Sequence, residues 1–259
     1  MNVYGIIPAR LQSTRLPRKL LLSDTGRTVI EYTWEAASRA TSLNHVIIAA
    51  DSDEVATAVK QFGGHCELTG EHPSGTDRIA EVAGRCCADG DIFVNIQGDE
   101  PEMDPENINA VVKALVDCPT AQMATLATPL KSLEQVQASS CVKVVCAKDG
   151  RALYFSRCPI PFCRDRDPNE VLVAEQPWLL HLGIYAYRRD FLFELTKLPP
   201  SRLEQLEKLE QLRALEAGAR IQVAIVEHHS VGIDTPEDYA RFVERIRSNP
   251  ARSRLEVHG

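Results

Sequence analysis

The sequence predicts an α/β protein whose central sheet is mostly parallel and buried, with a smaller mixed or antiparallel subregion in its second half. Two patterns predict it. Through the first half, short apolar runs alternate with amphipathic stretches of helical period, the rhythm of βαβ units. Through the second half, apolar runs follow one another over short links, as antiparallel strands do. In order along the chain, residues 3–8 are a short apolar run and 28–39 read as a helix. Residues 45–50 are a second run, ended by Asp51 and followed by a helix over 53–62. Residues 65–69 give a short strand, 77–87 a helix and 91–96 a strand. Residues 105–116 give a helix that opens on Pro105, whose missing N–H is no loss at a first helical position. In the second half, 123–129, 142–147 and 152–156 read as strands. Residues 158–168 contain three prolines and read as a loop. Residues 180–188 form a strong strand, 202–217 a helix ended by Gly218, 221–226 a strand and 236–247 a last helix. Residues 1–247 are therefore expected to form one α/β domain, and 248–259 a polar tail that frays.

Hydrophobic residues make up 44% of the 259 and charged residues 25%, a globular balance that argues against disorder, collagen and coiled coil. The formal charge of −7 gives no basic nucleic-acid footprint over the whole chain. A local basic pocket for a small anion remains compatible with that charge. No run reaches the roughly 18 apolar residues of a membrane helix. Residues 1–10 lack the layout of a signal peptide, so a cytoplasmic protein with reduced thiols is expected. The eight cysteines contain no CxxC pair, which speaks against structural zinc.

In open parallel sheets, ligands bind beyond the carboxyl ends of the strands, so the segments that follow strands hold the candidate site. After the first strand, Arg10, Arg15, Arg18 and Lys19 crowd one loop, with small Ala9, Ser13 and Thr14 between them. Neither GxxxxGK nor GxGxxG is present. Guanidinium and ammonium groups in such a place fit a polyphosphate, a reading preferred over a solvated basic loop in an acidic protein. After residues 91–96 comes Gln97-Gly98-Asp99-Glu100-Pro101. A carboxylate pair there suits Mg²⁺, which takes one or two carboxylates plus phosphate oxygens; a turn with a helix-capping acid fits the pattern equally well. In Gly232-Ile233-Asp234-Thr235-Pro236-Glu237-Asp238, Thr235 serves as N-cap, Pro236 as the first helical residue and Asp238 as the capping-box acid. Asp234 is left without a structural role and free to point into a cleft. Period two along 181–187 places His181, Gly183, Tyr185 and Tyr187 on one face, with Leu182, Ile184 and Ala186 on the other. Such a donor-rich face suits a sugar or a carboxylate; a half-exposed antiparallel strand is the plainer alternative. Over 203–215, leucines recur at every third position, a spacing that drifts around one straight helix. More than one surface is expected to cover that helix.

Taken in order, these motifs resemble the 3-deoxy-manno-octulosonate cytidylyltransferase (CMP-Kdo synthetase) family, from about Val3 to about Arg247. The resemblance rests on Ile7-Pro8-Ala9-Arg10, Ser13-Thr14-Arg15-Leu16-Pro17 with Lys19, Ser74-Gly75-Thr76-Asp77-Arg78 and Asn95-Ile96-Gln97-Gly98-Asp99-Glu100-Pro101. It continues through Ala152-Leu153-Tyr154-Phe155-Ser156-Arg157, His181-Leu182-Gly183-Ile184-Tyr185, Leu209-Glu210-Gln211-Leu212-Arg213 and Asp234-Thr235-Pro236-Glu237-Asp238.

The resemblance implies a GT-A-like nucleotide-diphospho-sugar transferase fold. It also implies Mg²⁺ dependence, a homodimer and a role in lipopolysaccharide synthesis, through CTP + Kdo → CMP-Kdo + pyrophosphate. Arg10, Lys19, Asp99 and Asp234 would be catalytic, with Asp99 and Asp234 carrying the metal. Pro8, Ala9, Arg10, Arg15, Lys19, Ser74 and Gly75 would bind CTP. Gln97, Arg157, His181, Tyr185, Glu210 and Gln211 would hold the sugar acid, within a sugar-binding and dimerisation subregion of about 123–217. Two departures stand out. The family usually has Gly where Arg18 stands and Pro where Leu20 stands, which bears on triphosphate affinity. Pro159-Ile160-Pro161-Phe162 also differs from the usual run, which keeps a modified Kdo, such as the 8-amino variant, open as substrate. Sialic acid is the other cytidylyltransferase alternative, although the YFSR and HLGIY segments resemble the Kdo branch. A glycosyltransferase normally carries DxD, and Gln97-Gly98-Asp99 lacks the first acid.

Overall fold

A computed structural model describes residues 1–248. Of the predicted tail 248–259, Ser248 is the last residue of a helix and the rest lies outside the described residues. Among the described residues nine strands form one mixed sheet: β1 Val3–Ala9, β2 His45–Ala50, β3 Cys66–Leu68, β4 Ile92–Asn95, β5 Met123–Pro129, β6 Lys143–Cys146, β7 Ala152–Ser156, β8 Leu179–Arg188 and β9 Ile221–Ile225. The main order is β3-β2-β1-β4-β8-β5-β9. Neighbours among β1 to β4 pair parallel, as do β5 and β9. β8 runs antiparallel between β4 and β5, and the β6–β7 hairpin pairs with β8. The mostly parallel sheet and its antiparallel subregion both match the sequence pattern.

Helices cover both faces: α1 Val29–Ser38, α2 Asp53–Gln61, α3 Gly75–Cys86, α4 Pro105–Asp117, α5 Leu133–Gln137, α6 Pro168–Glu175, α7 Arg189–Leu195, α8 Arg202–Glu207, α9 Gln211–Glu216 and α10 Pro236–Ser248. The period-two alternation of β1 divides the core. Val3, Ile7 and Ala9 pack with α1, α4 and α10, while Tyr4 and Ile6 pack with α3, α7 and α9. Burying both faces explains why the strands read as unbroken apolar runs.

The chain steps outward from β1 to β2 and β3, then returns to place β4 on the other side of β1. This reversal opens a crevice beyond the carboxyl ends of β1 and β4, the place where such sheets bind ligands. The loops carrying Arg10–Lys19 and Gln97–Asp99 both leave the sheet there. No helix among the described residues is long and apolar enough to cross a membrane.

Two expectations need correction. The helix predicted over 202–217 is two helices, α8 and α9. Lys208 takes the left-handed conformation, φ 55°, and its N–H caps the Glu204 carbonyl. The break re-aims the leucine row: Leu209 and Leu212 are buried, whereas Leu206 is exposed. Glu210 therefore sits in the turn before α9, and Gln211 opens that helix. In addition, α5, α6 and α7 lie in segments that showed no helical reading; each is eight residues or shorter, too brief to display a period.

Candidate active site

The crevice gathers two acids around one ammonium. Lys19 opens a short 3₁₀ turn, Lys19–Leu21, at the end of the basic loop. Its Nζ donates to a carboxylate oxygen of Asp99, to Asp234 Oδ1 at 3.1 Å and to the Ile233 carbonyl at 3.0 Å. Arg15 Nη2 lies 2.9 Å from the same Asp234 oxygen. The Ile233 N–H donates to the Asp99 carbonyl at 2.8 Å, which ties the two acid-bearing loops together. Asp99 and Asp234, 135 positions apart in the chain, thus share one cation. Burial works against the Lys19 ammonium, but Asp99 and Asp234 outweigh it and raise its pKa, so it stays charged. Glu100 lies beside them. Burial pushes its pKa up to about 7, the charges of Asp99 and Asp234 add to the rise, and the Ser230 hydroxyl, 2.6 Å away, offsets part of it.

The backbone around Arg10 is pinned by Asp51. The Asp51 N–H donates to the Ala9 carbonyl at 3.2 Å, and its Oδ1 accepts from the Leu11 N–H at 2.9 Å. The guanidinium of buried Arg78 stands 3.7 Å behind the other carboxylate oxygen. Arg10 itself is exposed. Ser74 caps α3: its Oγ accepts from the Asp77 N–H at 3.1 Å and donates to Asp77 Oδ2 at 2.7 Å. At Gly75 a Cβ would stand 3.4 Å from Pro8 Cγ and 3.9 Å from Asn95 Nδ2, so glycine keeps a gap between the α3 N-terminus and the end of β1. At Gly98 a Cβ would stand 3.1 Å from the Pro8 carbonyl, which holds the β4 exit loop tightly against β1.

Arg18 does not join this cluster. It adopts φ 56°, a left-handed backbone that favours glycine, and its guanidinium pairs with Glu54 on α2. The backbone thus explains the glycine of the resembled family at this position. Leu20 is buried in the core.

Beside the acids runs an open cleft of about 710 Å³, lined by Arg15, Gln97, Asp99, Asp234 and His181 among others. The Gln97 amide donates to the Gly183 carbonyl at 2.8 Å. The predicted face of β8 is real: the His181 and Tyr185 rings are 5.5 Å apart, Tyr185 and Tyr187 6.0 Å, while Leu182, Ile184 and Ala186 pack on the opposite core. The Thr125 hydroxyl donates to the Ile184 carbonyl at 2.8 Å and lies 3.0 Å from His181 Nε2. The Tyr185 hydroxyl donates to Gln211 Oε1 at 3.2 Å. Burial raises the pKa of Glu210, with hydrogen bonds from Thr76 and Ser74 opposing the rise. Glu210 thus faces Ser74 and Thr76 at the start of α3, while its neighbour Gln211 holds Tyr185 of β8. Arg157 is not among the residues that line this cleft; its guanidinium is turned to main-chain carbonyls, donating from Nε to that of Glu207 at 2.7 Å, from Nη1 to that of Ser139 at 2.9 Å and from Nη2 to that of Lys208 at 3.4 Å.

Burial pushes the His181 pKa from 6.5 down to about 3. The unfolded chain then binds the extra proton, so this contribution to stability is full above the ordinary value and is lost as pH falls toward the folded one. His181→Gln is expected to lose less Tm than the parent between about pH 7.5 and about pH 5. An equal loss in thermal melts at the two pH values would contradict a neutral, buried imidazole.

The cytidylyltransferase family model matches residues 4–221. A 3-deoxy-manno-octulosonate cytidylyltransferase from Rhodopirellula baltica is 49% identical over 96% of this chain and all of its own. One from Geobacter sulfurreducens is 44% identical over 95% of this chain and all of its own. The structure of a CMP:2-keto-3-deoxy-manno-octonic acid synthetase complexed with CTP superposes with a TM-score of 0.88 at 37% identity, covering 96% of this chain and 99% of that one. A 4-diphosphocytidyl-2C-methyl-D-erythritol synthase from Anaerococcus prevotii shares the fold alone, at TM-score 0.62 and 16% identity, covering 95% of this chain and 96% of its own. With the nucleotide-diphospho-sugar transferase fold, the acid-bearing crevice and near-complete matches in agreement, the chain belongs to the cytidylyltransferases, within the 3-deoxy-manno-octulosonate cytidylyltransferase family.

Proposed function

We propose that this chain activates the sugar acid Kdo, by CTP + Kdo → CMP-Kdo + pyrophosphate, in the cytoplasm and for lipopolysaccharide synthesis. The observation that carries this reading is the convergence of Arg15, Lys19, Asp99 and Asp234 at the β1/β4 crevice, next to a donor-rich cleft. The anomeric hydroxyl oxygen attacks the α-phosphorus. A P–O bond forms as the bond to the β-phosphate breaks, pyrophosphate leaves with the electron pair, and the hydroxyl proton passes to water. Such a step depends on positioning and on neutralising charge. Arg10, Arg15 and Lys19 hold the triphosphate. Ser74, Gly75 and the backbone at Pro8 and Ala9 read cytosine, in the gap kept open by glycine. Gln97, Arg157, His181, Tyr185, Glu210 and Gln211 hold the sugar acid. Asp99 and Asp234 are hard oxygen donors already drawn to one cation, which fits Mg²⁺; it takes one or two carboxylates and fills its shell with water and phosphate oxygens. When bound, the ion neutralises and polarises the α-phosphate. Incubation with CTP, Mg²⁺ and Kdo is expected to give one pyrophosphate per CMP-Kdo, identified by mass spectrometry. Pyrophosphate accompanied by CMP alone would overturn the reading.

Arg157→Ala is expected to raise KM for Kdo by about tenfold or more, the scale of losing charge-assisted hydrogen bonds, with KM for CTP changed far less. A rise confined to CTP, in steady-state kinetics on both substrates, would move Arg157 to the triphosphate.

The same reading includes a C2 homodimer. The split of α8 from α9 divides the leucine row, so that row offers no continuous face to a partner. In its place, Leu153, Phe162, Val173 and Leu206, 52% to 84% exposed, all lie in the second half of the chain. Light scattering at low micromolar concentration is expected to give twice the chain mass of 28.7 kDa; a mass of 28.7 kDa with full activity would refute the dimer.

A further inference from the structure

Lys143, on β6, is fully buried, at 0% exposure. An ammonium has three N–H donors, and all three meet main-chain carbonyls: Cys141 at 2.5 Å, Arg157 at 2.6 Å and Ala138 at 3.0 Å. An apolar side chain at this position would avoid the desolvation cost of a buried charge. What the charge provides is a grip on three carbonyls at places where regular structure ends: Ala138 closes α5, Cys141 lies in the loop before β6, and Arg157 follows the last residue of β7.

Of these places, the loop that ends at Cys141 reaches the cleft. Ser140 and Cys141 line it, together with His181. The His181 N–H donates to the Val142 carbonyl at 2.8 Å, one residue before Lys143. Arg157 extends the grip. Its guanidinium holds the carbonyls of Ser139, Glu207 and Lys208, and its N–H donates to Glu207 Oε2 at 2.9 Å. The 207–208 turn leads directly into Glu210 and Gln211. The ammonium and the guanidinium thus form a two-cation clamp that joins the 138–141 loop, the end of β7 and the α8–α9 turn. The basic loop of residues 10–19 and its acids are held by a separate set of bonds, through Lys19 and Asp51.

We infer that Lys143 is a positioning residue for the sugar-acid side of the cleft: it fixes the 138–141 wall and Arg157 relative to His181 without touching substrate. This inference rests on the proposed reaction for its kinetic consequence and on geometry alone for its structural one. Two measurements on the full chain test it. In steady-state kinetics, Lys143→Met is expected to raise KM for Kdo by about tenfold while KM for CTP stays within about twofold. In hydrogen–deuterium exchange, the same variant is expected to lose protection at residues 139–142 and 207–211, while the segment 10–20 keeps its parental protection and its response to added CTP. Lys143→Arg keeps the charge, but its longer, planar fork spreads its donors over three coplanar nitrogens and cannot reproduce the three directions in which the single ammonium nitrogen donates, and an intermediate KM for Kdo is expected. If Lys143→Met fails to fold, a raised Kdo KM in the Arg variant with CTP unaffected upholds the inference. Equal changes in both KM values, or exchange that rises uniformly, would overturn it. Should the parent enzyme not use Kdo at all, the proposed reaction falls, while the exchange comparison still decides the clamp.

Discussion

Asp99→Asn and Asp234→Asn are each expected to lower kcat by about a hundredfold or more, the usual scale for losing a preorganised charge-stabilising group. The two acids reach one Lys19 ammonium from loops at opposite ends of the chain, so neither can take over the place of the other. Amides of the same shape keep the loops packed but lose the anionic oxygens that a hard cation needs. CTP should still bind, because Arg10, Arg15 and Lys19 remain; the loss should therefore appear in kcat, with KM for CTP changed little. The apparent Mg²⁺ requirement should also rise in each variant. If either variant keeps parental turnover at limiting Mg²⁺, that acid is not a metal ligand.

Lys19→Met is expected to lower kcat/KM for CTP by about a hundredfold to a thousandfold. It removes a side chain that contacts both acids, and it leaves Asp99 and Asp234 close together beside the half-buried Glu100 without that ammonium. Like charges so placed destabilise the fold. The variant should therefore melt below the parent in the absence of divalent cation. Because Mg²⁺ can take up the charge the ammonium leaves, it should raise the Tm of Lys19→Met more than that of the parent. Thermal melts with and without Mg²⁺ check this; an equal rise in the two proteins would argue against a metal position between the acids.

Much of the fold was legible because β1, β2 and β4 are buried on both faces over most of their length and are mostly apolar there, while α1 to α4 are long enough to show their period. The short helices α5, α6 and α7 were not legible, since a turn or two of helix carries no repeat. The leucines of 203–215 misled for a different reason: a left-handed Lys208 divides the row, and nothing in a lysine signals that conformation. In the site, Asp234 stood out because Thr235, Pro236 and Asp238 had structural roles and it had none; the structure gives it Arg15 and Lys19. Period two placed His181 and Tyr185 correctly on one face. Asp51 appeared in the sequence only as the end of a strand, although it brackets Arg10. Thr125 and Lys143 left no local signal, because the bond to His181 and the three carbonyl contacts arise from pairings across the sheet and its loops.

Pyrophosphate release from CTP and Mg²⁺, measured with Kdo, 8-amino-Kdo, sialic acid and no acceptor, tests the central claim most directly. The account predicts release that depends on acceptor, with kcat/KM for Kdo at least about tenfold above the other sugars, and background release alone without one. Release that is independent of acceptor, or faster with sialic acid than with Kdo, would contradict it.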